Sequence, residues 1–99
     1  MSLSATVFDI GGASEKFDYS ATSVSSTILP DGTEAVRLVA TTDVCVSITN
    51  SSAVSASTTT SMFIPQFAIE YVKAKGGQFV AAIRDSADGS LKVTPLRRN

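Results

Sequence analysis

Wherever the apolar pattern of this chain is legible it repeats at every second residue, and no window of helical length carries the 3.6-residue stripe of an amphipathic helix. Period-two spacing sends alternate side chains to opposite faces of an extended segment, which restricts the chain to β architecture. Val36, Leu38 and Ala40 alternate with Arg37, Val39 and Thr41. The clearest strand follows, with Val44, Val46 and Ile48 inward and Cys45, Ser47 and Thr49 on the other side. Phe67, Ile69 and Tyr71 share a face opposite Ala68, Glu70 and Val72. Phe79, Ala81 and Ile83 share one opposite Gln78, Val80, Ala82 and Arg84, and Leu91 and Val93 are the inward positions of a last strand.

Turn residues separate these segments at Pro30-Asp31-Gly32, Lys75-Gly76-Gly77 and Asp88-Gly89. The glycine pair supplies the positive φ angles of a tight hairpin, which predicts antiparallel pairing of the strands on either side of it. In the N-terminal third, residues 1–32, the pattern is weakest; strands are expected over 6–10, 15–19 and 23–29, separated by Gly11-Gly12 and Ser-rich sequence. Only near Val54 and Phe67 is there room for a short helical turn. The expected fold class is all-β: a small antiparallel β-sandwich or Greek-key barrel of about seven or eight short strands. At 99 residues the chain has enough length for one core, so residues 1–99 are read as a single domain with a Ser/Thr-rich loop over 50–60.

Composition narrows function mainly by exclusion. Hydrophobic residues make up 43% and charged residues 17%, and about a quarter of the chain is Ser or Thr, a balance that suits strands and argues against disorder. A formal net charge of −1 provides no global field for phosphate backbones or anionic lipid, so neither nucleic acid nor a membrane is an expected partner. Met1-Ser2-Leu3-Ser4 has neither a basic region nor an apolar run of a secretory signal, and no segment approaches the length of a membrane span. A soluble protein is expected. Cys45 is the single cysteine; it has no partner for an intramolecular disulfide and reads as a small buried or half-buried side chain.

The chain contains no His, which removes the common proton shuttle near neutral pH, the commonest metal ligand and every Ser-His-Asp or Cys-His arrangement. Asp85 and Asp88 are the one carboxylate pair that an enzyme reading would nominate, yet they flank a glycine turn where Asp is favoured for backbone reasons. Asp9, Asp18, Asp31 and Asp43 are scattered without calcium-loop spacing. Asn50-Ser51-Ser52 matches a glycosylation acceptor pattern that arises readily by chance in a Ser-rich chain. No catalytic, cofactor or metal site is expected, and the chain is not read as an enzyme.

What is left is surface. No Asp, Glu, Lys or Arg occurs between Asp43 and Glu70. This interval reads either as a hydroxyl-rich flexible loop or as a contact surface, since charge depletion marks interface cores. Met62, Phe63, Ile64 and Pro65 form an apolar run ending in proline, which belongs at an edge or in a loop and is the candidate docking segment. Arg97 and Arg98 are a second candidate, weighed against a simple solvated basic end. Most of Phe63, Phe67, Tyr71 and Phe79 are expected in the core.

The order and spacing of Ala40-Thr41-Thr42-Asp43, a Ser/Ala/Thr loop, Ser61-Met62-Phe63-Ile64-Pro65, Glu70-Tyr71-Val72, Gly77-Gln78-Phe79-Val80-Ala81-Ala82-Ile83 and Asp88-Gly89-Ser90-Leu91-Lys92-Val93-Thr94 resemble small virion proteins of tailed bacteriophages. The resemblance covers roughly residues 36–94 and rests on order and spacing, with no catalytic signature. The chain departs from the pattern at Gln66-Phe67, where Ala-Gly or Ala-Asn is usual after the proline, and at Lys75-Gly76, where Pro is usual before the glycine. The resemblance implies a β-sandwich or barrel module acting as a capsid decoration or cement protein. It also implies the major capsid protein as partner, self-association with a trimer favoured, and the capsid exterior as location after a soluble stage in the host cytoplasm. Alternatives are a head–tail connector, tail or fibre component, or a carbohydrate-binding module using Tyr19, Phe63 or Tyr71 as stacking platforms.

Overall fold

The period-two segments are strands of two antiparallel sheets. In the computed structural model, which describes residues 8–98, the strands are β1 (Phe8–Ile10), β2 (Glu15–Tyr19), β3 (Val24–Ser25), β4 (Ala35–Ala40), β5 (Val44–Thr49), β6 (Met62–Ile64), β7 (Ile69–Lys73), β8 (Phe79–Arg84) and β9 (Gly89–Arg98). The remainder of the N-terminal strand expected over 6–10, and the Met1-Ser2-Leu3-Ser4 segment, lie outside the described residues. The five-stranded sheet, here sheet A, has the order β1-β9-β4-β7, with β2 also on β9; the four-stranded sheet B has the order β3-β8-β5-β6. This is a small β-sandwich. None of the described residues forms a helix, so none of the structure is a helix long and apolar enough to cross a membrane.

Alternation decides which side chains meet between the sheets. From sheet A come Val36, Leu38, Ala40, Leu91 and Val93; from sheet B come Val44, Val46, Ile64, Val80 and Ala82. All are small or medium aliphatic groups, as a core about 10 Å thick between facing sheets requires. The largest buried side chain is Tyr19, only 2% exposed. It is therefore not a stacking platform for a sugar. Its hydroxyl donates to the Thr42 carbonyl at 2.8 Å, accepts from the Thr42 amide at 3.2 Å and lies 2.7 Å from Thr42 Oγ1. Thr42 Oγ1 in turn reaches the Ala87 carbonyl, and Thr41 Oγ1 accepts from the Ser90 amide. One phenol thus ties β2 to the β4–β5 turn and to the start of β9.

The chain crosses between the sheets at almost every connection. The hairpin expected around Lys75-Gly76-Gly77 is absent, because β7 pairs with β4 in sheet A while β8 pairs with β3 and β5 in sheet B. The glycines turn a corner instead of a hairpin. Gly77 has φ +89°, and a Cβ on Gly76 would lie 2.7 Å from the Pro30 carbonyl oxygen, so this turn nests against the Pro30-Asp31-Gly32 turn. The last strand also runs past Thr94, where the sequence pattern stops, and continues through Pro95 to Arg98. β1 and β2 lie end to end along it, and the gap between them falls opposite Pro95, whose missing N–H makes an interrupted neighbour the compatible one.

The aromatic side chains are distributed against expectation. Phe63 and Phe67 are 51% and 64% exposed, Tyr71 is exposed, and Phe79 is half-buried. The reason is register: Val36↔Val72 and Leu38↔Glu70 place Val72 and Glu70 on the inner side of β7, leaving Ile69 and Tyr71 outside. On β8 it is Val80 and Ala82 that enter the core, so Phe79 and Ile83 lie on the outer side. A face whose inner positions are already filled by Val, Leu and Ala has no volume for a phenyl ring.

Gly89 is the tightest position. A Cβ there would stand 2.7 Å from the Tyr19 hydroxyl and 2.9 Å from Thr41 Oγ1, with Thr42 Oγ1 closer still. Gly89→Ala is expected to cost about 1–3 kcal/mol by overpacking the Tyr19 anchor. Urea unfolding measures it: a lower midpoint at unchanged slope is the expected outcome, and a parental midpoint contradicts the assignment.

Candidate functional site

The two outer faces of the sandwich differ. On sheet B the chain itself covers the outer side over β8 and β3, while Phe63 on the edge strand β6 stays exposed. The Ser/Thr-rich loop over 50–60 arches across β8 towards β3, where the Ser25 hydroxyl donates to the Ser52 carbonyl and the Ala56 amide donates to Ser23 Oγ. It returns through the Ser57 amide bonded to Ser61 Oγ, which also meets Ser47 Oγ. Ala56 is buried, as are Ala81 and Cys45 on the strands. The loop's backbone groups are thus held by hydroxyls of the flanking chain. Burial, with the Asp85 carboxylate nearby, pushes the Cys45 thiol up from its ordinary range, which leaves it protonated and unreactive.

The candidates Met62, Phe63, Ile64 and Pro65 fall on β6, the edge strand of sheet B, and just after it. Met62, Phe63 and Pro65 are exposed. Ile64 is not available to a partner: it is 0% exposed and belongs to the core, because its register opposite Val44 turns it inward. Arg97 and Arg98 are not a loose tail either. They pair with Asp9 and Phe8 at the end of sheet A, away from β6 and on the other sheet, with Arg97 exposed. The candidate residues are thus not brought together.

Sheet A leaves its outer face open around Lys16, Lys92, Ile69 and Tyr71, whereas Ala35, Thr94 and Leu96 on the same side are buried, and the register fixes which residues are neighbours there. One cross-strand row runs Lys16, Lys92, Val39, Ile69, from β2 through β9 and β4 to β7. The next runs Thr94, Arg37, Tyr71, with Ser14 Oγ bonded to Thr94 Oγ1 at 2.8 Å beside it. Lys73 lies further along β7, opposite Ala35. Lys16, Arg37, Lys73 and Lys92 of a net-acidic chain therefore occupy one face. Lys16 stands directly opposite Lys92, a like-charge pair at a Cβ separation of roughly 5 Å, which is unfavourable in a sheet. Lys16, Arg37 and Lys92 have no ion-pair partner among the described residues. Asp18, the acid on the same face, is bonded to the Ser90 hydroxyl at 2.6 Å.

A shallow depression of about 330 Å³ lies on this face, lined by Lys16, Arg37, Val39, Phe67, Ser90 and Lys92 among others. Phe67 is the aromatic side chain in its lining. The Ala68 amide donates to the Pro65 carbonyl in a tight turn, and the Phe67 amide donates to the Ala40 carbonyl at 2.9 Å. Within that turn Phe67 has φ +61°, in the left-handed region, and is the one non-glycine residue among those described to do so. A larger depression of about 470 Å³ near Asp18 and Asp88 is less suited to hold a ligand, since Asp18 is engaged by Ser90 and Asp88 by the Arg84 guanidinium at 2.6 Å. No group of three or more His, Cys, Asp or Glu side chains among the described residues could hold a metal ion.

Sequence reasoning passed over Lys16, Arg37 and Lys92 because each is an ordinary polar position on its own strand; only cross-strand register assembles them. Phe67 reads as a strand residue expected in the core, so its exposed position in a left-handed turn was missed. Compared with known proteins, the chain matches no family model, no curated protein and no solved structure. Its surface therefore carries the functional argument.

Phe67→Gly is expected to raise the unfolding free energy by about 0.5–1 kcal/mol, the relief of the left-handed backbone exceeding the entropy glycine adds to the unfolded chain. Thermal unfolding reads it as a higher midpoint. A fall would mean that the ring contributes more to stability than its exposed position implies.

Proposed function

We propose that this chain is a structural docking protein of a tailed-phage virion, a capsid decoration subunit that binds the major capsid protein and stabilises the head. The observation that supports it is the asymmetry of the sandwich: one outer face is largely covered by its own loop, and the other presents cations with no ion-pair partner among the described residues around an apolar floor. The bacteriophage resemblance of residues 36–94 points the same way. A decoration subunit requires a stiff scaffold and a contact face, with no chemistry of its own. Modest affinity per copy suffices when many copies act on one shell.

Docking through a face suits this fold better than strand addition, because its edges are blunted. β3 and β6 are two and three residues long, β6 is followed by Pro65, and β7 turns Glu70 inward. Met62 and Phe63 on the β6 edge are left for contact between copies, and a trimer fits a local threefold position on a shell.

Cryo-electron microscopy of particles carrying the chain, with quantitative mass spectrometry of their proteins, tests this reading. The expected result is density on the outer surface of the head and a copy number comparable to that of the major capsid protein. Density confined to the portal, tail or fibres, at a small fraction of that number, would overturn it in favour of a connector or tail role.

A further inference from the structure

We propose that the depression on the outer face of sheet A is a recognition site for an acidic protein segment. One or two partner carboxylates sit among Lys16, Lys92 and Arg37, and an adjacent apolar side chain lies on Val39 and Phe67. The inference rests on the reading of the chain as a docking protein and names the chemistry of what it docks on.

Three independent features converge here. The first is charge. Lys92 has Lys16 directly opposite on one side, and on the other it has Val39, with Arg37 diagonal to it at a Cα distance of roughly 7–8 Å. No carboxylate of the described chain forms an ion pair with the three. Asp18, the acid on the same face, is bonded to the Ser90 hydroxyl instead. An anion placed between the lysines turns a repulsive row into two charge-assisted contacts. The second feature is the floor: Val39 is half-buried, and with Ile69 on the same row it gives the cations an apolar neighbour. Mixed surfaces of this kind match a protein segment in which acidic and apolar side chains alternate.

The third feature is backbone strain. Phe67 is a large apolar residue held in the left-handed region, 64% exposed, at the rim of the same depression. Strain of this sort persists where the surrounding structure imposes it, and it clusters at ligand clamps. A glycine would satisfy the turn and supply no ring. The cations occupy a patch the size of one or two side chains on a chain of net charge −1, which fits a carboxylate pair and offers no track for a nucleic-acid backbone.

The test is an NMR titration of the ¹⁵N-labelled chain with the acetylated pentapeptide Glu-Asp-Leu-Asp-Glu, its amide counterpart Gln-Asn-Leu-Asn-Gln, and a single-stranded pentanucleotide. The expected result is saturable shifts centred on the amides of Lys16, Arg37, Phe67 and Lys92 with the acidic peptide alone, weakening about tenfold as salt rises from dilute buffer to about 1 M. The double variant K16Q/K92Q should lose about tenfold or more in affinity while its spectrum and unfolding midpoint show an intact fold. F67G should also bind more weakly although it is at least as stable. Absence of shifts, shifts centred on Arg97, equal binding of the neutral peptide, or tighter binding of the oligonucleotide would each overturn the proposal. If particle images show the chain on the shell through its sheet B face, this inference fails and the decoration reading stands. If the peptide binds as described and the chain is absent from shells, the reverse holds.

Discussion

The sandwich is organised around the Tyr19 hydroxyl. A chain that changes sheet at nearly every connection must hold its corners, and the corner between β4 and β5 is held by a buried phenol bonded to the carbonyl, amide and hydroxyl of Thr42. Leaving such a group unpaired inside a protein costs about 1–3 kcal/mol, so the turn and the ring specify one another. Gly89 lets β9 approach the anchor to a distance that no side chain tolerates. Because β9 is the strand on which β1, β2 and β4 all assemble, its closeness to Tyr19 sets the position of most of sheet A.

A core filled by Val, Leu, Ala and one Tyr has a consequence for the surface. Aromatic rings that would ordinarily be consumed by a domain of this size are instead displaced outward, and Phe63, Phe67 and Tyr71 are all exposed. Exposed rings of this kind are a liability unless they meet something. On sheet B the chain covers most of its own outer side with hydroxyl-bonded loop and leaves Phe63 exposed at the edge; on sheet A it leaves Phe67, Tyr71 and the cations in the open. The functional reading follows from that difference between two faces of one scaffold.

Local period was legible in the sequence, and long-range pairing was not. The strands around Val36, Val44, Phe79 and Leu91 lie where alternation placed them, because in-out spacing is a property of each segment alone. The supposed hairpin at Gly76-Gly77 failed because glycine freedom serves a corner between sheets as readily as a turn within one. Phe67, Ile69 and Tyr71 were legible as one face and not as the outer one, since alternation leaves open which side meets the core; Val72 decides it through its partner Val36. Ile64 shared an apolar run with Met62 and Phe63, but only pairing with Val44 shows that it turns inward. The cationic face was illegible for the same reason: Lys16, Arg37 and Lys92 are distant in sequence and meet only through register.

The central claim is that the open outer face of sheet A is the working surface of this protein. Four lysines allow a direct measurement, because Lys16, Lys73 and Lys92 lie on that face while Lys75 is exposed in the turn beyond β7. Amine-reactive labelling of the free chain and of the chain on assembled particles, read lysine by lysine by mass spectrometry, compares the two. The account predicts that Lys16 and Lys92 lose reactivity on the particle while Lys75 keeps it. Unchanged labelling of Lys16 and Lys92 on a particle that demonstrably carries the chain would contradict it.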